Sequence, residues 1–394
     1  MRRNLGTLMS ATILAGAAVA ASVASAGVAV ASSRPHAATT LYVADNGRST
    51  NADKSCATAK YNSIVAGVAA ASTGSTVTVC GGLYGKSVVV TKSIKLVGEG
   101  NPTLSASKQD HGIEVIANNV TVSGFKVEHA IGEGILVQTV SGATISFNTV
   151  VDNDLGGPKS SYKECQAQGG VPGDCGEGIH LISVHNSTVL KNTVEGNSGG
   201  ILLSDEYGPT WGNLIEVNTV KNNVYDCGIT IVGHNPNAVS SKGVPQPGNA
   251  GVYDNTIKSN TVTGNGTKGE GAGILLAAAL PGAASYENRI FGNTVSGNGL
   301  SGITIHKHFA GQDLSGDVVS GNNIGTNDLT GDPGTGDSST TGILLDNGGT
   351  KQGITITISH NTISNDTYGI YDDTGSGLTQ TDNKFVNVKT DVKT

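Results

Sequence analysis

Charge is scarce in this chain: Asp, Glu, Lys and Arg together make up only 14% of 394 residues. Aromatic residues are scarcer still, at 4%, with five Phe and one Trp. That leaves little material for an exposed ladder of rings, the usual platform for simple sugar binding. Positive charge is also outnumbered, 24 Lys and Arg against 31 Asp and Glu, which argues against nucleic acid or an anionic membrane surface as partner. The long 3.6-residue periodicity of a helical bundle is missing too. What is present is apolar and periodic enough to exclude disorder: 57 Gly, and abundant Val, Ile, Thr, Ser and Asn.

The main pattern is a phrase of Asn, any residue, Val or Ile, two further residues, then Asn or Asp. It occupies 148–153, 192–197, 218–223, 260–265, 293–298, 322–327 and 361–366. A second phrase, Gly-Ile, precedes each of these and opens a short apolar run, at Gly134, Gly178, Gly200, Gly228, Gly273, Gly302, Gly342 and Gly369. The intervals of 44, 22, 28, 45, 29, 40 and 27 residues describe a minimal unit of 22 residues carrying insertions of different lengths. A stacked solenoid tolerates such insertions, because loops leave one face while the core keeps its register. A solenoid also has no single-core size limit, so 394 residues need not mean several domains.

The runs within a unit are short and β-branched, as in Ile201-Leu202-Leu203, Leu214-Ile215-Glu216-Val217 and Thr219-Val220, and read as strands. Asn tolerates the left-handed conformation of a tight corner, and its amide can bond to the equivalent Asn one coil away. The phrase therefore predicts an internal ladder in which Asn148, Asn192, Asn218, Asn260, Asn293, Asn322 and Asn361 line up. Residues 41–97 differ from the repeats. Residues 62–71 predict an amphipathic helix with Ile64, Val65, Val68 and Ala69 on one side, followed by strands at 76–80, 87–90 and 93–97, as expected of a segment covering the apolar end of the first coil. The expected organisation is thus a leader over 1–40, an N-terminal cap over 41–97 and a repeat domain over 98–394.

The leader carries export signals. Arg2 and Arg3 precede a mostly apolar stretch of small residues, and Ala24-Ser25-Ala26 is an A-x-A cleavage site, with Ala37 as a second position. Cleavage and secretion to the extracellular space follow, with no membrane attachment afterwards. In an exported chain five cysteines predict disulfides and one leftover thiol: Cys56–Cys80 and Cys165–Cys175 bridged, Cys227 spare, although pairing of Cys227 with the insertion stays open.

The segment from Ala66-Gly67-Val68 through Thr76-Val77-Thr78-Val79-Cys80 to Lys95-Leu96-Val97-Gly98, together with the Gly-Ile and Asn-x-Val phrases, resembles secreted right-handed parallel β-helix proteins of the pectin-lyase-like superfamily. It looks most like the bacterial repeat proteins that share this domain with periplasmic copper-maturation factors. The resemblance implies an all-β, right-handed parallel β-helix of about ten coils with an N-terminal helical cap. For activity it is broad, since the superfamily spans lyases, epimerases, polygalacturonases, tailspikes and proteins without known activity. The polygalacturonase motifs Asn-Thr-Asp, Asp-Asp, Gly-His-Gly and Arg-Ile-Lys are not found in order; Asp372-Asp373 is the sole Asp pair. The arginine base typical of pectate lyases would have to be Arg289, the only arginine beyond residue 48.

Setting each strand-opening Gly to zero places the residues four to six later in columns: Ser204-Asp205-Glu206, Val232-Gly233-His234, Ala277-Ala278-Ala279, His306-Lys307-His308 and Asp346-Asn347-Gly348. Asp205, Glu206, His234, His306, Lys307, His308 and Asp346 are the candidate catalytic residues, flanking an alanine floor. Such a groove suits an elongated glycan. His306, His308 or Lys307 can supply the base and the positive charge that β-elimination or epimerisation at a uronate requires. Asp205 and Glu206 can hold a divalent cation such as calcium, or one of them can act as acid with Asp346 as base in hydrolysis. His306 and His308, on one side of a strand, can instead join His234 and Asp205 around a transition metal. His180 and His185 fall outside the columns and read as surface or packing residues. The expected function is binding, and lyase, epimerase or hydrolase processing, of an extracellular polysaccharide; the alternative is a non-catalytic surface or matrix protein.

Overall fold

The computed structural model describes residues 38–45, 52–154, 176–269, 271–331, 336, 338–350, 353–374 and 378–394. Three long sheets of twelve, eleven and eleven strands run through these residues, and every strand pair in them is parallel. The first sheet runs from Thr40–Val43 to Leu378–Thr381, the second from Leu83–Tyr84 to Lys384–Val386, and the third from Val88–Val90 to Thr390–Lys393. Sequence order rises steadily along each sheet, so the chain visits the three in turn and advances by one strand spacing per coil. The protein is a right-handed parallel β-helix.

Strands in the second sheet are mostly three residues long, and in Thr219–Lys221 or Thr193–Glu195 only the middle Val is buried. These inward residues, together with Ile201, Leu203, Ile229, Ile231, Ile274, Leu276, Ile303 and Ile305 of the third sheet, fill the tube as one continuous core. A seven-residue helix, Ile64–Ala70, packs on its N-terminal strands. Ser63 caps it, its hydroxyl accepting the Ala66 N–H. Its buried face is Ile64, Gly67 and Val68; Val65, expected inside, is 44% exposed. Gly67 takes its place because the helix lies so close that a Cβ there would come within 2.5 Å of Val43.

The expected Asn ladder exists, and it is one of three. Asn148, Asn192, Asn218, Asn260, Asn293, Asn322 and Asn361 form an unbroken run in which each Asn Oδ1 accepts the backbone N–H and the Nδ2 of the Asn before it, and the run ends at Asn383. The last residue of each phrase makes a second run, Asn153, Asn197, Asn223, Asn265, Asn298, Asn327 and Asp366. A third links Ser187, Asn213, Asn255, Asn288 and Asp317. The corner geometry differs from the expected one, because the left-handed residue is the one before each Asn: Phe147, Lys191, Val217, Ser259 and Gly292, all near φ +55° to +65°. The Asn is thereby free to turn its amide inward and satisfy backbone groups that the corner would leave unpaired. The strand-opening glycines have a separate cause. A Cβ at Gly228 would lie 2.4 Å from Val262 and 2.7 Å from the Asn265 amide, so these positions need the absence of a side chain.

Cys56 and Cys80 are bridged, and Cys227 is buried and free, as expected. Cys165 and Cys175 lie outside the described residues. Among the described residues no helix is long and apolar enough to cross a membrane.

Candidate functional site

Side-chain direction in the third sheet follows strand alternation. Counting from each opening Gly, odd positions enter the core and even positions face out. The outer columns align as expected: Ser204, Val232, Ala277, His306 and Asp346 are direct register partners on successive strands. The span from Ser204 to His306 is three strand spacings, roughly 14 Å.

At one end of this column Glu206 Oε1 lies 2.7 Å from His234 Nδ1. The Ser204 hydroxyl donates to the other Glu206 oxygen at 2.5 Å. Burial would raise the Glu206 carboxyl, but the hydrogen bond and charge of His234, the charge of His180 and the Ser204 hydroxyl outweigh it and hold the pKa at about 2. At the other end His306 Nε2 lies 3.2 Å from Asp346 Oδ2, and the His306 and His308 rings stack at 4.1 Å. Burial, reinforced by His308 and opposed by Asp346, lowers His306 to about 4, so this imidazole is a neutral base at pH 7. His308 is fixed through Nδ1 by the Ala278 carbonyl at 2.8 Å. Ala277 and Ala279 form the small-residue strip between the two pairs.

Two of the seven expected residues turn away from this face. Lys307, at an odd position, is 7% exposed, and its Nζ donates to the Gly353 carbonyl at 3.2 Å. Asp205, also odd, is fully buried; its oxygens accept the backbone N–H groups of His234, Asn235 and Gly251. Burial raises Asp205 to about 6 against those three bonds. Its oxygens organise a loop, so Asp205 and Glu206 do not form the calcium pair considered above. Nor does the set His234, His306, His308 and Asp205 gather round one point. Among the described residues, the group close enough to share an ion is Glu133, Glu177 and His180, with donor atoms all within 4.8 Å of one another.

His180 is the residue that sequence reasoning missed. It is fully buried on the outer side of the third sheet, with Nδ1 3.2 Å from Glu133 Oε1 and Nε2 2.8 Å from Ser204 Oγ. Glu133 also meets His111 Nδ1 at 2.7 Å. Burial opposes ionisation of Glu133, yet the bonds and charges of His111 and His180 hold it at about 2, and the same carboxylate raises His111 above its ordinary value. The result is a chain His111, Glu133, His180, Ser204, Glu206, His234 running over five successive coils. Its first member lines an open cleft of about 330 Å³ with Ser87, Lys108, Gln109 and Glu114. The signal was available: His180 sits two residues after Gly178, an outward position, and His111, Glu133 and Glu177 each immediately precede a Gly of the same column.

His185 is also part of a larger feature, since it stacks on Trp211, which stacks on Tyr253, which stacks on Tyr286, at centroid separations of 5.1, 6.3 and 5.1 Å. This ladder, on a small three-stranded sheet, uses its ring faces on itself and so differs from a sugar platform. Tyr207 and Phe309 are the exposed rings near the columns, 64% and 44% exposed, each seven residues after its opening Gly.

Residues 115–299, just under half of the chain, match the family model described as periplasmic copper-binding protein (NosD). No curated protein shows significant sequence similarity. Among solved structures, the A-module of a mannuronan C-5 epimerase from Azotobacter vinelandii is 15% identical, with 82% of this chain and 89% of that one covered at a TM-score of 0.53. An alginate lyase from Paenibacillus sp. str. FPU-7 is 11% identical, with 90% and 99% covered at 0.50. An exopolygalacturonase from Thermotoga maritima is 8% identical, with 81% of each chain covered at 0.51. These likenesses show a shared fold.

Proposed function

We propose that this right-handed parallel β-helix protein, exported by its leader, binds an extracellular polysaccharide along the outer face of its third sheet and processes it by acid–base chemistry. The observation that carries the reading is the pair of imidazole–carboxylate couples, Glu206–His234 and His306–Asp346, held in register on either side of an alanine strip. In each couple the carboxylate orients the ring and stabilises the imidazolium that forms when it takes a proton, and His306, neutral and 28% exposed, suits the base. Tyr207 and Phe309 offer apolar faces to sugar rings at the two ends. The solved structures of similar fold include an epimerase, a lyase and a polygalacturonase, which supports a glycan substrate.

Lys307 is turned inward, so it does not supply the positive charge that a uronate carboxylate needs on proton abstraction. The face as it stands favours cleavage of a neutral or weakly acidic glycan over lyase or epimerase action, unless a cation joins the substrate. A panel of purified neutral and acidic polysaccharides, assayed for reducing ends and for unsaturated products in parallel, separates these reactions. Activity that His234→Ala and Glu206→Gln leave intact would remove that couple from the mechanism, and binding without turnover on every glycan would favour the non-catalytic matrix protein.

A further inference from the structure

Two carboxylates and one imidazole nitrogen converge beside His180. Ser204 has one hydroxyl proton, and at 2.5 Å it goes to Glu206, whose carboxylate also receives His234 Nδ1. Ser204 can then only accept from His180, so the 2.8 Å contact requires the proton on His180 Nε2. The other nitrogen, Nδ1, faces Glu133 Oε1 at 3.2 Å. With Nε2 committed to Ser204, Nδ1 and the carboxylate oxygen face each other, and either a proton or a metal ion between them satisfies both.

We propose that a divalent first-row transition metal ion binds there, ligated by His180 Nδ1, Glu133 and Glu177. Three observations agree. The donor atoms of these three residues already lie within 4.8 Å of one another. A four-coordinate ion with bonds of about 2.0–2.2 Å sets neighbouring donors roughly 3.3 Å apart, close to the Nδ1 to Oε1 separation. The bond from His180 Nε2–H to Ser204 is the outer contact that fixes the tautomer of a metal-bound imidazole. One imidazole with two carboxylates suits zinc or its neighbours better than calcium, which takes six to eight oxygens. His111 stands against Glu133 and also lines the open cleft. The site stands independently of the polysaccharide reading.

The test is titration of chelator-treated full-length protein with zinc by calorimetry and with cobalt(II) by visible absorption, calcium serving as control. The expected result is one zinc per chain, an intense d–d spectrum of low-symmetry cobalt, and no competition by calcium. His180→Ala and the milder Glu177→Gln should weaken zinc at least tenfold, Ser204→Ala about tenfold through the outer contact, and His306→Ala not at all. Melting curves of the metal-free variants identify any that fail to fold, in which case Glu177→Gln decides. Absence of zinc binding at millimolar metal, or equal affinity in wild type and Glu177→Gln, overturns the proposal and leaves the His180–Glu133 contact as a plain hydrogen bond.

Discussion

A single buried oxygen shows how strictly the interior is accounted for. In the second ladder every position is Asn until Asp366, whose Oδ1 accepts the Asn327 N–H while Oδ2 has no hydrogen-bond partner among the described residues. Burial raises this carboxyl to about 7 against that one bond. An unfolded Asp gives up its proton near 3.8, whereas the folded one keeps it to about 7, so its contribution to stability falls as pH rises across that window. Asp366→Asn restores the ladder amide and removes the penalty. Thermal melts should show little gain at pH 4 and a gain that grows to a plateau above pH 7; a pH-independent difference would contradict the assignment. Parity explains what could be read of the site at this scale. Ser204, Val232, Ala277, His306 and Asp346 were placed correctly because the Gly-Ile phrase fixes register. Lys307 and Asp205 differ from the expectation because they occupy odd positions, which turn inward, although they share the columns of outward-facing neighbours. His180 escaped notice because its partners Glu133 and Ser204 are 47 and 24 residues away in sequence.

At the scale of one coil, the corner is the unit that the sequence encodes. A residue in the left-handed region makes the turn, and the next residue, an Asn, repairs the hydrogen bonding on the inside. Asn260 accepts from Asn218 and donates to the Ile215 carbonyl and Asn293, all in the core. Asn260→Ala strands several of these groups at about 1–3 kcal/mol each, so a loss of at least about 3 kcal/mol is expected in denaturant melts. A loss under 1 kcal/mol would mean that the ladder decorates the corner without holding it. The neighbouring left-handed position behaves oppositely. Val217 holds φ +57° with a β-branched side chain that is 42% exposed, so Val217→Asn should stabilise by about 1 kcal/mol by relieving that strain. The sequence announced the corner through its Asn but not the division of labour within it, because the strained position varies in type from Phe147 to Lys191 to Gly292.

Across the whole molecule, each coil touches only its neighbours, so stability is local along the tube. The Cys56–Cys80 bridge staples the N-terminal strands, and closing a 24-residue separation contributes about 3 kcal/mol. Reduction or Cys56→Ser should therefore lower amide protection over the first coils and leave it unchanged beyond about residue 200; uniform loss would indicate a single cooperative unit. The same linear order brings the Glu133–His180 cluster and two imidazole–carboxylate couples to one outer face, although the residues span 111 to 346 in sequence. The most direct measurement is the turnover of a responsive polysaccharide by His306→Ala against wild type, with melting temperatures recorded alongside. Loss of turnover by 100-fold or more at an unchanged melting temperature is the predicted result; wild-type turnover in a folded His306→Ala protein would contradict the central claim that this face is the catalytic one.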